Sequence, residues 1–250
     1  MTHVVSCEGI WKSYERHRAV GLKSLLVGAE TPRSDTRFAR EWALSEVSLR
    51  VPRGQAYGVI GPNGSGKTTL LSILLGTVRA DRGRLSLDGR VGSLLELGAG
   101  FHGDLSGREN VFLYGSILGM RVAEIRRRFD AIAEFSELDS AIEQPLRTYS
   151  AGMKARLGFS IIIRSQADIL LIDEVLAVGD TRFQAKCRLA LREFRARGGT
   201  LIIVSHDMKE LAEVCDEGLC LDLGRVVDAG PIAGVIARYG ERMEGARSRA

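Results

Sequence analysis

Gly61-Pro62-Asn63-Gly64-Ser65-Gly66-Lys67-Thr68 fits the pattern G-x-x-x-x-G-K-[ST]. The apolar run from Ala56 to Ile60 precedes it and reads as a strand, and Thr69 to Leu75 follows as an apolar helix. Glycines let the backbone of such a loop curl until its N–H groups converge on an anion. The helix N-terminus adds positive potential at the same place. Lys67 has the reach for the β- and γ-phosphates of a nucleotide, and the Thr68 hydroxyl suits Mg2+. The strand–loop–helix setting is what distinguishes a phosphate cradle from a chance run of glycines.

The rest of the chain sets bounds on that reading. At 250 residues it has room for one large α/β domain or two small ones. The net charge of +4 is mild, and no block of five or six like charges occurs, so contact with anionic headgroups is permitted and nucleic acid is not expected. Arg126-Arg127-Arg128 lies in a helical pattern and reads as a solvated face. Cys7, Cys187, Cys215 and Cys220 are scattered without zinc-type spacing and are expected to be reduced packing residues. No apolar stretch approaches the length of a membrane span, and the N-terminus lacks the apolar segment of a signal peptide. A soluble, cytoplasmic protein is expected.

Hydrophobic periodicity then orders the chain. Residues 4–10 suggest a first strand, and a polar, basic stretch from Arg16 to Arg40 separates it from a half-buried strand at Ala43 to Val51. That gap is too long for a simple hairpin. Arg84 to Leu87 and Val91 to Leu95 read as short strands around a turn at Asp88-Gly89. Arg108 to Leu118 and Val122 to Phe135 are helical by period, so 108–165 reads as a helical subdomain. Ile169 to Ile172 and Thr200 to Val204 are apolar runs suited to a parallel sheet covered on both faces. Phe183 to Arg195, Met208 to Val214 and residues 232–239 read as helices. Leu219 to Leu223 and Arg225 to Asp228 form a hairpin about Gly224, and Glu241 to Ala250 is a polar tail.

Three further features bear on the chemistry of the loop. Asp173 closes the buried run Ile169–Ile172, where an acid completes a metal shell, and Glu174 follows in position to hold an attacking water. His206, in Ser205-His206-Asp207, ends the neighbouring strand, and adjacent ends of a parallel sheet open into one crevice. Ser150 precedes the helical pattern Ala151–Ser165 as an N-cap, and the small residues after it leave that helix N-terminus open to an anion. By itself this last feature is as much a capped helix as a phosphate site.

With these residues in view, nearly the whole chain resembles the nucleotide-binding subunit of ABC transporters. Gly61–Thr69 is similar to the Walker A motif, Tyr149–Met153 to the signature motif, and Ile169–Glu174 to Walker B with the catalytic glutamate. Ala177-Val178-Gly179-Asp180 stands at the D-loop, His206 at the switch histidine, and Tyr14 at the aromatic that stacks on adenine. The runs Leu94–His102, Gly107–Asn110, Tyr149–Leu157 and Asp173–Asp180 resemble the polysaccharide-export branch, which carries O-antigen, capsular polysaccharide or teichoic acid. Members of that branch also carry a long insert between the first two strands, as residues 18–41 do here.

The resemblance implies a P-loop NTPase core of mixed sheet with an antiparallel β subdomain and a helical subdomain at about 97–165, all within one ABC ATPase domain, 1–240. It implies Glu174, His206 and Lys67 as catalytic residues. It implies Tyr14, Gly61, Pro62, Asn63, Gly64, Ser65, Gly66, Lys67, Thr68, Thr69, Ser150 and Gly152 as the nucleotide contacts, with ATP and Mg2+ bound. Thr68 and Asp173 would hold the metal, and Glu96 stands at or next to the family's metal-reaching glutamine. Ala151 and Met153 replace the usual Gly and Gln, and methionine donates no hydrogen bond, so γ-phosphate contact rests on Ser150, Gly152 and the helix end. The D-loop lacks its usual serine.

A homodimer with ATP between the loop of one copy and the Ser150 helix of the other is implied. So is a separate membrane permease docked at the Glu96–Leu105 loop, on the cytoplasmic face of the membrane. Phe101 and Leu105 in that loop either face the permease or pack into the helical subdomain. A carbohydrate-binding C-terminal domain is not expected. Another cargo, a soluble ABC protein acting on ribosomes or DNA, and a P-loop metabolic kinase are the competing readings. The kinase leaves Tyr149–Met153 and His206 without a purpose.

Overall fold

The computed structural model describes residues 3–17, 38–94, 100–173 and 180–247. Strands β1 (His3–His17), β2 (Phe38–Pro52) and β4 (Arg82–Leu87) form an antiparallel sheet in the order β2-β1-β4. Strands β3 (Ala56–Ile60), β5 (Val91–Ser93), β6 (Ile169–Asp173), β7 (Thr200–Val204), β8 (Glu217–Asp222) and β9 (Arg225–Pro231) form a second sheet, β5-β6-β7-β3-β8-β9. It is parallel from β5 to β8, and β9 pairs antiparallel at its edge.

The two-residue period of a strand explains how one sheet serves two cores. Ile169 and Leu171 of β6, with Ile202 and Val204 of β7, face the antiparallel sheet across helix α1 (Lys67–Leu75). Leu170 and Ile172, with Leu201 and Ile203, face the opposite side. There they meet α2 (Gly107–Ile117), α3 (Val122–Ser136), α4 (Ala151–Ile163), α5 (Thr181–Ala196), α6 (Met208–Val214) and α7 (Ile232–Arg247). Coverage on both faces is why β6 and β7 read as unbroken apolar runs. All four cysteines are buried and unpaired, as expected of packing residues. Burial pushes the Cys7, Cys187 and Cys215 thiols up to about 12, so they stay protonated and unreactive.

Several elements differ from their sequence-based expectation. β1 extends to His17 and β2 begins at Phe38, in a ladder that continues to the pair His17–Phe38. The outer rungs, around Ser13, Tyr14 and Glu15, bury no apolar stripe and so carry no alternation. Of the insert expected at 18–41, residues 18–37 lie outside the described residues, and Phe38 to Glu41 belong to β2. The strands flanking Asp88-Gly89 do not form a hairpin: β4 joins the antiparallel sheet and β5 the parallel one. Helix α7 continues through Glu241 to Arg247, where the sequence suggested a tail.

Aromatic packing joins α3 and α4 to α5. Phe159 of α4 is fully buried, stacks on Phe135 of α3 at 5.9 Å and meets Phe183 of α5 edge-on at 6.3 Å. Three helices thus converge on one ring. Phe159→Ala should cost about 3–5 kcal/mol, by lost transfer energy and the cavity left behind. Urea denaturation measures this, and a loss under about 1 kcal/mol would contradict the packing role assigned to the ring.

Candidate nucleotide site

The chain leaves β3 at Gly61 and turns into α1 through three glycines with positive φ: Gly61 (145°), Gly64 (77°) and Gly66 (106°). Two of them are also required by space. A Cβ on Gly61 would sit 2.1 Å from the Leu221 carbonyl oxygen, and one on Gly66 would sit 2.5 Å from that of Ala43. The turn is therefore wedged between β2 and the end of β8. The β8–β9 turn clamps it from outside: the Gly224 amide donates to the Ser65 carbonyl (3.0 Å), and the Gly224 carbonyl accepts from Ser45 (2.8 Å). Leu223 and Gly224 both have positive φ, as a tight hairpin turn requires.

A cleft of about 420 Å3 opens over this turn. Asn63, Gly64, Gly66, Lys67, Thr68 and Thr69 line it from the loop, Ala43 from β2, Asp173 from β6, and His206 from the segment after β7. β6 and β7 are in parallel register, Asp173 opposite Val204, which delivers the acid and the histidine to one mouth. Gly66 caps α1 and brings no side chain to occupy the helix N-terminus. The Ser65 hydroxyl is buried without a partner. Lys67 is buried, and its ammonium donates to the Gly61 (2.8 Å) and Pro62 (2.9 Å) carbonyls. A helix N-terminus and a lysine beside it fit a phosphate chain. The Thr68 hydroxyl and Asp173 carboxylate are hard oxygen donors of the kind Mg2+ takes.

His206 is exposed, and side chains on either side fix its peptide. The Ser205 hydroxyl accepts from Asp207 N–H (3.0 Å), and the Asp207 carboxylate caps α6 by accepting from Lys209 and Glu210. Burial raises the Glu210 carboxyl above its usual range, with the Asp207 charge adding to the effect. Tyr14 does not line the cleft. It sits 44% exposed on β1, opposite Glu41, two rungs from the cleft-lining Ala43 on β2. Asp81 secures that part of β1, accepting from Lys12 Nζ (2.9 Å), Ser13 N–H (2.8 Å) and Ser13 Oγ (2.7 Å). These bonds, the one from Lys12 foremost, hold the Asp81 carboxyl down at about 2. The contribution is complete above the ordinary range near 3.9 and is lost only as pH falls through about 2.

Ser150 and Gly152 stand apart from this cleft. Ser150 caps α4, its hydroxyl accepting from Met153 N–H (3.2 Å). No acidic residue occupies the first turn of that helix. Glu174, Glu96 and the D-loop residues Ala177 to Gly179 lie outside the described residues. The last D-loop residue, Asp180, is the N-cap of α5, accepting from Phe183 N–H at 2.9 Å. Phe101 is half-buried and packs edge-on against Tyr114 of α2 at 5.1 Å.

Asn110 carries a positional role that the sequence did not reveal. It is fully buried, and its amide donates to the His102, Leu105 and Ser106 carbonyls while its oxygen accepts from His102 N–H. One side chain thereby shapes the loop 102–106. The same loop is tied to the turn before Ser150: Leu146 N–H donates to Leu105 (2.9 Å), Arg147 N–H to Gly103 (2.8 Å), and Arg147 pairs with Asp104 at 2.7 Å. Asn110→Ala should lower stability by about 3 kcal/mol, since it strands buried partners. It should also speed deuterium exchange at residues 102–106 while leaving α1 unchanged. Equal protection of that loop in the variant would refute this role.

The comparisons with known proteins agree with this geometry. The family model described as ABC transporter matches residues 44–177. The O-antigen export system ATP-binding protein RfbB of Klebsiella pneumoniae is 40% identical over 245 residues, covering 97% of this chain and all of that protein. The teichoic acids export ATP-binding protein TagH of Lactococcus lactis is 44% identical over 198 residues, 79% of this chain and 42% of that longer protein. A solved ATP-binding subunit of an ABC transporter superposes with TM-score 0.76 at 19% identity, over 95% of this chain and 93% of that one. An ATP-binding cassette in a dimeric post-hydrolysis state, bound to ADP and Pi, gives 0.73 at 19% identity, over 91% and 98%.

Proposed function

This chain belongs to the ABC transporter family, and from that premise we propose that it hydrolyses ATP to drive export of a lipid-linked polysaccharide of the O-antigen, capsule or teichoic acid type. The observation that carries the ATPase reading is the cleft that gathers Lys67, Thr68, Asp173 and His206 over an uncapped helix end. The cargo is inferred from relatives that match along their whole length and are named for O-antigen export.

In this reading the loop amides from Gly64 to Thr69 hold the β- and γ-phosphates. Lys67 exchanges its carbonyl partners for phosphate oxygens, which turns a loop brace into a charge-assisted contact. Thr68 and Asp173 hold Mg2+, which supplies charge neutralisation on the phosphates when bound. Glu174 orients the attacking water, and His206 contacts the γ-phosphate from the neighbouring strand end. Tyr14 stacks on the adenine.

Ser150 and Gly152 complete the site from a second copy. Their separation from the cleft within one chain supports that assignment, as does the hydroxyl-capped helix end free of acidic residues. Closure on ATP and opening after hydrolysis form a two-state element biased by the nucleotide. A permease subunit would feel it through the groove of about 540 Å3 lined by Leu75, Val91, Gly100, Tyr114, Ile117 and Leu118. Ile117, 60% exposed, supplies an apolar contact there. No helix among the described residues is long and apolar enough to cross a membrane, so attachment to the cytoplasmic face is assigned to that permease.

Glu174→Gln should lower ATP hydrolysis by about 10²–10⁴-fold while ATP binding is retained. Surface glycan should accumulate inside cells that carry only this variant together with its permease. The proposal is falsified if the variant hydrolyses ATP and exports glycan as well as the parent. Purification with ribosomes in place of a membrane subunit would favour a non-transport ABC protein.

A further inference from the structure

Four arginines face one cavity at the far end of the parallel sheet. A cavity of about 370 Å3 is lined by Arg53, Arg128, Arg164 and Arg197, together with Asp168 and the backbone of Gly199. Asp168 immediately precedes β6 and Gly199 immediately precedes β7. Their far ends deliver Asp173 and His206 to the nucleotide cleft, so the two sites stand at opposite ends of the same strands, about 16 Å apart at 3.3 Å per residue. They share no lining residue.

The arginines come from elements that pack against one another here. Arg128, from the triplet read as a solvated face, turns inward and donates to the carbonyls of Arg164 (2.5 Å) and Ser165 (3.4 Å). Arg164 follows the end of α4 and lies 5.4 Å from the centroid of the Phe135 ring. Its Nε is buried with no hydrogen-bond partner. Arg197 follows α5 and is exposed, and Arg53 pairs with Asp88 at 2.9 Å. The one carboxylate lining the cavity, Asp168, already accepts from the Arg90 amide at 2.8 Å.

Arg128 and Arg164 are half-buried without a carboxylate partner, so their charges repel, and the unsatisfied Nε–H of Arg164 carries a desolvation cost. Both are relieved by an oxyanion, which the planar fork of arginine binds in bidentate fashion. We propose that this cavity is a second anion site, for a phosphate- or diphosphate-bearing small molecule, bridging the helical part through Arg128 and Arg164 to the sheet through Arg53 and Arg197. The inference stands independently of the ATPase reading.

The test is calorimetric titration of the full chain with inorganic pyrophosphate in a Lys67→Ala background, which removes the main cation of the nucleotide cleft. One site should remain. Arg164→Gln with Arg197→Gln should weaken it at least tenfold, and the same pair in the parent chain should leave ATP binding unchanged. If that pair fails to fold, Arg53→Gln with Arg197→Gln, both exposed positions, should give a weakening of the same sign. A second arm floats the Lys67→Ala chain with vesicles containing or lacking a polyprenyl diphosphate. An arginine-dependent response to free pyrophosphate identifies a soluble ligand. The same dependence on vesicles alone identifies a lipid headgroup. Absence of both, or binding indifferent to the arginines, overturns the proposal.

Discussion

The turn from β3 into α1 forms only because two residues without side chains leave room for neighbouring main chain. At Gly61 that neighbour is Leu221 and at Gly66 it is Ala43, and any Cβ would enter the space their carbonyls occupy. The close fit makes the loop a rigid part of two sheets. The Gly224 amide closes it from the β8–β9 turn. Rigidity of this kind matters for a phosphate site, because amides already aimed at the anion need no reorganisation when it arrives. The same wedge places the start of α1, the end of β6 and the residue after β7 around one cleft.

A second constraint links the loop to the rest of the helical part. Asn110 shapes residues 102–106, those residues hold the turn at Leu146–Thr148, and that turn leads directly to Ser150. The loop 102–106 and the helix end proposed to meet ATP thus share one hydrogen-bonded unit. Backbone hydrogen bonds and the Arg147–Asp104 pair join its two ends. The Phe135–Phe159–Phe183 cluster carries the same unit onto α5, whose cap is Asp180.

Much of this was legible in the sequence where the signal is local. β6 and β7 showed as apolar runs because both faces are buried, and α6 was read with the bounds it has, Met208 to Val214. The loop glycines, Lys67, Thr68, Asp173 and His206 carried their chemistry in their type and spacing. Partnership was not legible. Nothing around Asp88-Gly89 distinguishes a hairpin from a crossing between sheets, since Arg84 meets Glu8 and Val91 meets Ile169, both remote in sequence. The outer rungs of β1 escaped notice because they bury nothing, and the loop-shaping role of Asn110 because one buried amide leaves no periodic trace. Arg128 looked like its solvated neighbours until the end of α4 was placed beside it.

The account turns on ATP bridging two copies. Cysteines placed at Ser150 and Asn63 test it directly, because the four native cysteines are buried and leave the probe positions to react alone. In a Glu174→Gln chain that retains bound nucleotide, ATP should produce a cross-link between Cys at 150 of one molecule and Cys at 63 of another, and omission of ATP should abolish it. Retained ATP binding with no intermolecular cross-link under any nucleotide condition would contradict the shared site.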